Sequence, residues 1–199
     1  MGDRSYVGDG RFAGDGQWAM GDPFPKPLSP IAHRLSPTLI LICGLPGSGK
    51  TTLARQIERE RPALRLSPDE WIEVILADPH DQAELDRLRT PVETVQWDVA
   101  MRVLDLGVDV VIEWGFWSRE ERRTFRERAQ ARGARVELRY LHVDIDVLWQ
   151  RLAARNADLP PGTFHVTREQ LELWASWFQP PTAEELATFD QPPPGDDAP

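Results

Sequence analysis

Gly44-Leu45-Pro46-Gly47-Ser48-Gly49-Lys50-Thr51 follows the apolar run Leu39-Ile40-Leu41-Ile42-Cys43 and leads into Thr52–Glu60, which reads as a helix. Strand, glycine-rich loop and helix in that order define a phosphate-binding loop, and the flanks separate it from a chance match. Glycines let backbone N–H groups turn inward around phosphate oxygens without a Cβ in the way. The helix that opens at the end of the loop adds the positive end of its dipole. In such a loop Lys50 reaches the β- and γ-phosphates, and the Thr51 hydroxyl ligates Mg²⁺. The expected ligands are therefore ATP and Mg²⁺, held by Gly44, Leu45, Pro46, Gly47, Ser48, Gly49, Lys50, Thr51 and Thr52. The bland alternative is an ordinary glycine-rich turn between a strand and a helix. Lys50 is one of only two lysines, with Lys26, in an arginine-rich chain. A slim ammonium fits a tight loop that a planar guanidinium does not.

Working outward, apolar strand-length runs recur at Leu39–Cys43, Ala63–Leu66, Val108–Trp114 and Val136–Val143, with helical patterns between them. Ser or Thr followed three residues later by Glu or Gln marks helix starts at Ser67, Thr90, Ser118, Thr167 and Thr182. At the first two of these, Pro68 and Pro91 occupy the first helical position, where a missing N–H costs nothing. Gly107 and Gly133 are placed to end helices. The alternation implies an α/β fold, a three-layer α/β/α sandwich with a mainly parallel sheet. Ligands of such sheets bind beyond the carboxyl ends of the strands.

Residues just past each strand are therefore the candidates. Asp69, after the second strand, faces the crevice of the phosphate loop, where a carboxylate orients an acceptor hydroxyl and takes its proton. Alternatively it only complements the dipole of the helix it opens, as Glu70 does. Glu113, ending the third strand, stands where a magnesium-binding acid is expected, with Asp69 a further candidate for the metal. As a buried charge Glu113 needs a polar partner in any case. Trp71, Trp114, Phe116 and Trp117 either wall an acceptor pocket or pack as core. Arg119 and Arg122 open an arginine-rich helix and are candidate substrate contacts. Arg151 and Arg155, one turn apart, precede a proline-rich segment, Asn156–Val166. A helix–loop–helix lid over about 150–168 would bring them onto the phosphates, or they are ordinary surface arginines.

The net charge is −9. Residues 1–37 balance, 180–199 carry only acids, and the middle is −4. A net-acidic body favours a small-molecule acceptor over a polynucleotide, while leaving a local basic groove open. Residues 1–37, with Gly-Asp pairs and then prolines, read as a disordered arm, 38–189 as the domain and 190–199 as a disordered tail. Cys43 is the only cysteine, so no internal disulfide forms. No apolar run reaches membrane-spanning length and no signal-peptide pattern opens the chain, so the expected location is cytoplasmic.

With those residues in place, the chain resembles the small P-loop kinases. It is most similar to the AAA-domain ATP-binding proteins grouped with chloramphenicol phosphotransferase, zeta-toxin and the kinase domain of polynucleotide kinase. The resemblance spans about 39–185, carried by Gly44–Thr52, Ser67–Trp71, Glu113–Arg123 and Trp149–Asn156. It implies an ATP-dependent kinase with a hydroxyl acceptor, with Asp69 as catalytic aspartate, Lys50 in catalysis, and Arg151 and Arg155 as lid arginines. Two positions depart from the pattern. Glu113 stands where Asp is usual, and Ile72 where polynucleotide kinases carry an arginine three positions past the aspartate.

Overall fold

The structure, a computed structural model, describes residues 36–76, 82–160 and 163–192. The arm expected over 1–37 and the tail over 190–199 lie outside these residues, except at 36–37 and 190–192. In chain order the elements are β1 (Thr38–Cys43), α1 (Lys50–Glu60), β2 (Ala63–Leu66), α2 (Pro68–Ile75), α3 (Gln82–Asp105) and β3 (Asp109–Gly115). They continue with α4 (Arg119–Gln130), β4 (Arg135–Tyr140), α5 (Ile145–Asn156), α6 (Arg168–Trp177) and the short α7 (Ala183–Leu186).

The four strands form one parallel sheet in the order β2-β3-β1-β4. β1 is central, and both its faces are buried, which is why it reads as an unbroken apolar run rather than an alternation. Leu39, Leu41 and Cys43 pack with Trp97, Met101 and Leu104 of α3 and Ala129 of α4. Ile40 and Ile42 pack on the other face against Leu53, Ala54 and Ile57 of α1. Helices therefore cover both faces, as expected for an α/β/α sandwich.

Several elements differ from the expectation. β4 stops at Tyr140 instead of Val143, because β1 has by then turned into the phosphate loop and offers one last acceptor, Cys43 O, to Leu141 N at 2.9 Å. Thr90-Pro91 does not start a helix. α3 runs straight through it, with Pro91 exposed in the interior, so solvent can meet the carbonyl that loses its N–H partner. The Ser67 side chain makes no cap bond, and Glu70 pairs with Arg55 and Arg65 instead of closing a capping box. Thr167 and Gln170 do form the full box. Gly107 and Gly133 end their helices at φ 76° and 77°. The described chain stays attached past residue 189, since Asp190 N donates to Val136 O at 2.8 Å and its carboxylate accepts from Val136 N at 2.7 Å.

Candidate active site at the strand ends

β1 delivers the loop directly into α1. Gly49 caps that helix at φ 101°, a backbone region closed to most side chains. Gly44 N donates to Gly115 O at 3.2 Å, which ties the loop to the end of β3. On its other side the loop meets α5. A Cβ at Gly47 would lie 3.1 Å from Leu152 Cγ, and Leu45 packs against the Leu148–Leu152 cluster. The sheet and α5 therefore hold the loop from opposite sides.

Lys50 Nζ donates to Gly44 O and Leu45 O, each at 3.0 Å. Burial lowers its pKa from 10.5 to about 8, against the pull of the Asp69 and Glu113 charges, which raise it. Those couplings place both carboxylates within electrostatic reach of the ammonium. Ser48 Oγ is buried with no hydrogen-bond partner among the described residues, an orphan inside the cradle that an incoming oxyanion can satisfy. Thr51 and Thr52 are exposed at the helix start. A threonine hydroxyl combined with phosphate oxygens is the donor set that a hard divalent cation such as Mg²⁺ takes. Among the described residues no group of three or more His, Cys, Asp or Glu is placed to hold a metal ion.

Asp69 is the second residue of α2 and half-exposed. Its Oδ1 accepts from Arg89 Nη2 of α3 at 2.9 Å. Glu113 is nearly buried and has the partner that its burial demands: Arg65 Nη1 donates to its Oε1 at 2.5 Å, and Arg65 Nη2 to Glu70 Oε2 at 2.6 Å. These contacts raise the Arg65 pKa further above its already high value, outweighing burial, which lowers it. The register explains the first contact. Arg65 pairs with Val111, and Glu113 lies two residues further along β3, on the same face of the sheet.

Of the two arginines of α5, Arg151 reaches the loop and Arg155 turns to the segment after the helix. Arg151 Nη1 lies 3.4 Å from Gly47 O, and Arg155 Nη2 donates to Phe164 O at 3.0 Å. Burial lowers the Arg155 pKa, with the charge of Asp69 opposing. The proline-rich stretch is pinned at its far end, where Asn156 donates to Val166 O at 2.7 Å and accepts from Val166 N at 3.3 Å.

The four candidate substrate contacts separate. Trp71 remains at the surface on α2, 36% exposed. Trp114 packs in the core with Phe116 and Phe125 and donates its Nε1–H to Gln96 Oε1 at 3.0 Å. Arg119 is exposed at the start of α4, its backbone N donating to Gln179 Oε1. Arg122 is fully buried; it grips Glu185 with Nε at 2.6 Å and Nη2 at 2.9 Å, and Nη1 donates to Phe116 O. That expectation is corrected: Arg122 is a structural cation, holding the turn at Phe116, whose φ is 46°. Its partner lies 63 residues away, where no local pattern could announce it. Arg65 and Arg89 were missed as site residues. For Arg65 a signal existed, a lone charge between apolar neighbours on a short, half-buried strand. For Arg89 there was none.

Residues 39–181 match the family described as AAA domain, and the chain belongs to that family. Its architecture is the α/β/α sandwich of the P-loop NTPases. It is similar in fold to a gluconokinase from Sinorhizobium meliloti (19% identity, TM-score 0.49, covering 76% of this chain and 80% of that one). It is also similar to a chain of the Pnkp1/Rnl/Hen1 RNA repair complex (18%, TM-score 0.58, 80% and 48%), of which it spans about half. A third similar structure is Chaetomium thermophilum Kti12 in complex with ADP-AlF3 (18%, TM-score 0.54, 73% and 82%). No helix among the described residues is long and apolar enough to cross a membrane.

Proposed function

We propose that this chain is an ATP-dependent kinase that moves the γ-phosphoryl group to a hydroxyl of a small molecule. What supports the reading is the phosphate loop itself, with Lys50 held on its Gly44 and Leu45 carbonyls and Arg151 of α5 reaching its Gly47 carbonyl, together with the electrostatic influence of Asp69, in the first turn of α2, on both Lys50 and Arg155. The loop amides and Lys50 would hold the triphosphate. Thr51 would hold Mg²⁺, which neutralises charge on the phosphate oxygens, with Glu113 behind it as the acid already braced by Arg65. Asp69 takes up the acceptor hydroxyl's hydrogen bond and finally its proton. The acceptor oxygen bonds to the γ-phosphorus as the bond to the bridging oxygen breaks, and ADP leaves. Arg151 and Arg155 stabilise the charge on the group in transit.

The acidic balance, and Ile72 where an arginine would read a nucleic-acid phosphate, favour a small acceptor. The test is a screen with γ-labelled ATP against alcohols, nucleosides, sugars, antibiotics and a 5′-hydroxyl oligonucleotide. Label transferred to a small hydroxyl compound supports the proposal. Transfer only to the oligonucleotide, with steep salt dependence, replaces it with a polynucleotide kinase. Nucleotide binding with no transfer to any of them leaves a nucleotide-controlled switch. Asp69→Asn should keep ATP affinity and lower turnover by about 10²-fold or more. Equal losses of both would remove Asp69 from the chemistry.

A further inference from the structure

α3 reaches the turn that carries Asp69 at two points. Gln96, completely buried, donates to Ser67 O at 3.0 Å and accepts from Trp114 Nε1. Seven residues earlier, two helical turns along the same face, Arg89 donates to Asp69 Oδ1. One helix therefore fixes both the backbone before α2 and the carboxylate at its start. Arg89 is itself braced, with Nη1 lying 3.8 Å from Glu93 Oε1 one turn on. Asp69, with two rotatable side-chain bonds and a half-exposed position, has no other hydrogen bond from a described side chain. Arg89 makes no hydrogen bond or ion pair with the phosphate loop.

The guanidinium of Arg89 constrains where the Asp69 carboxylate points. What it supplies is direction. In a loose phosphoryl-transfer transition state the attacking hydroxyl gives up its proton late, and alignment matters more than basicity. With Oδ1 engaged by Arg89, the remaining oxygen has a defined bearing.

We propose that Arg89 is a positioning residue for phosphoryl transfer: its guanidinium fixes Asp69 Oδ1 so that Oδ2 holds the attacking hydroxyl in line. The inference rests on the reading of Asp69 above.

The test uses full-length protein and γ-labelled ATP with Mg²⁺, water serving as the acceptor probe, and reads release of labelled phosphate beside ATP affinity by calorimetry. R89Q, which drops the charge and keeps most of the length, should lower turnover about 10- to 100-fold, the scale of a misplaced reacting group. R89A should do the same. ATP affinity should stay within about twofold, and R89K should recover part of the rate. In an Asp69→Asn background R89Q should cost less than about twofold more, because it acts through a carboxylate no longer there. A wild-type rate in R89Q, or losses that multiply in the double variant, overturns the proposal while leaving Asp69 in place. An Asp69→Asn protein as fast as wild type, or no phosphate release by the wild type, removes the reading of Asp69 and this inference with it.

Discussion

Raising the pH from 7 to 9 should weaken ATP binding about tenfold, through Lys50 alone. Burial lowers the free protein's Lys50 to about 8, and only its ammonium form attracts the phosphates. The apparent dissociation constant then scales as one plus ten to the power of pH minus 8, about 1.1 at pH 7 and about 11 at pH 9. A bound polyanion pulls the pKa back up, so at pH 9 binding should take up close to one proton, and at pH 7 about a tenth of one. Titration calorimetry in two buffers of different ionisation enthalpy reads that proton count directly. Glu93, lifted to about 7 by burial, gives up its remaining half proton mostly between pH 7 and 8, so the change from pH 8 to 9 is the part that reports Lys50. The same shift has a stability sign. A lysine whose folded pKa lies below its unfolded one penalises the fold, fully below about pH 8 and progressively less up to 10.5. The unliganded protein should therefore gain stability across that interval, and Lys50→Met should remove the gain together with ATP binding. An affinity constant within about twofold from pH 7 to 9, with no buffer-dependent enthalpy, would refute the assignment of a desolvated, phosphate-seeking ammonium.

Other substitutions test the surroundings. Glu113→Gln leaves Arg65 to Glu70 and Glu58 and should lower unfolding free energy by about 1.5 to 3 kcal/mol in urea titration, the scale of one charge-assisted hydrogen bond. Arg122→Ala strands Glu185, 5% exposed, and should cost about 3–5 kcal/mol, whereas Arg122→Met with Glu185→Leu should recover most of it. Arg155→Ala should leave stability nearly unchanged and lower turnover by about 10²-fold or more, the effect of losing a group that meets developing charge; a loss confined to the Michaelis constant would assign it to uniform nucleotide binding instead.

How much of this was legible depended on whether the signal was local. The phosphate loop is eight contiguous residues whose chemistry lies in their own backbone, so its position and its flanking strand could be read directly. The central strand β1 could also be read, because a strand buried on both faces needs an unbroken apolar run. Thr90-Pro91 misled for the same reason that it usually informs: a proline start signal is local, while tolerance of Pro91 depends on an exposed face that only packing reveals. Arg122 and Arg119 occupy the same first turn of α4, and the chain order does not say which turns inward. Glu185 decides that, from the far end of the domain. Arg89 is set by the path of α3 across the crevice, which no periodicity contains.

The distribution of arginine partners supplies a separate argument for where the ligand's charge belongs. Arg61, Arg65, Arg87, Arg122, Arg123 and Arg168 are each satisfied by carboxylates, and those contacts hold their pKa above the ordinary arginine value. Lys50 and Arg155 go the other way: both are lowered, both chiefly by burial. Their hydrogen bonds end on main-chain carbonyls, at Gly44, Leu45 and Phe164, and Arg155 Nε is buried without a partner among the described residues. The two acids nearest them are already committed, Glu113 to Arg65 and Asp69 to Arg89. Desolvating a cation without neutralising it is costly, and a fold rich in acids had carboxylates to spare for the purpose. Leaving these two cations on carbonyls keeps their charge for an anion from outside. The arginine clamps on Glu113 and Asp69 stop the protein's own acids from collapsing onto that charge. On the proposed reading, the pairing around the crevice reserves the cationic side for phosphate and the acidic side for the acceptor hydroxyl.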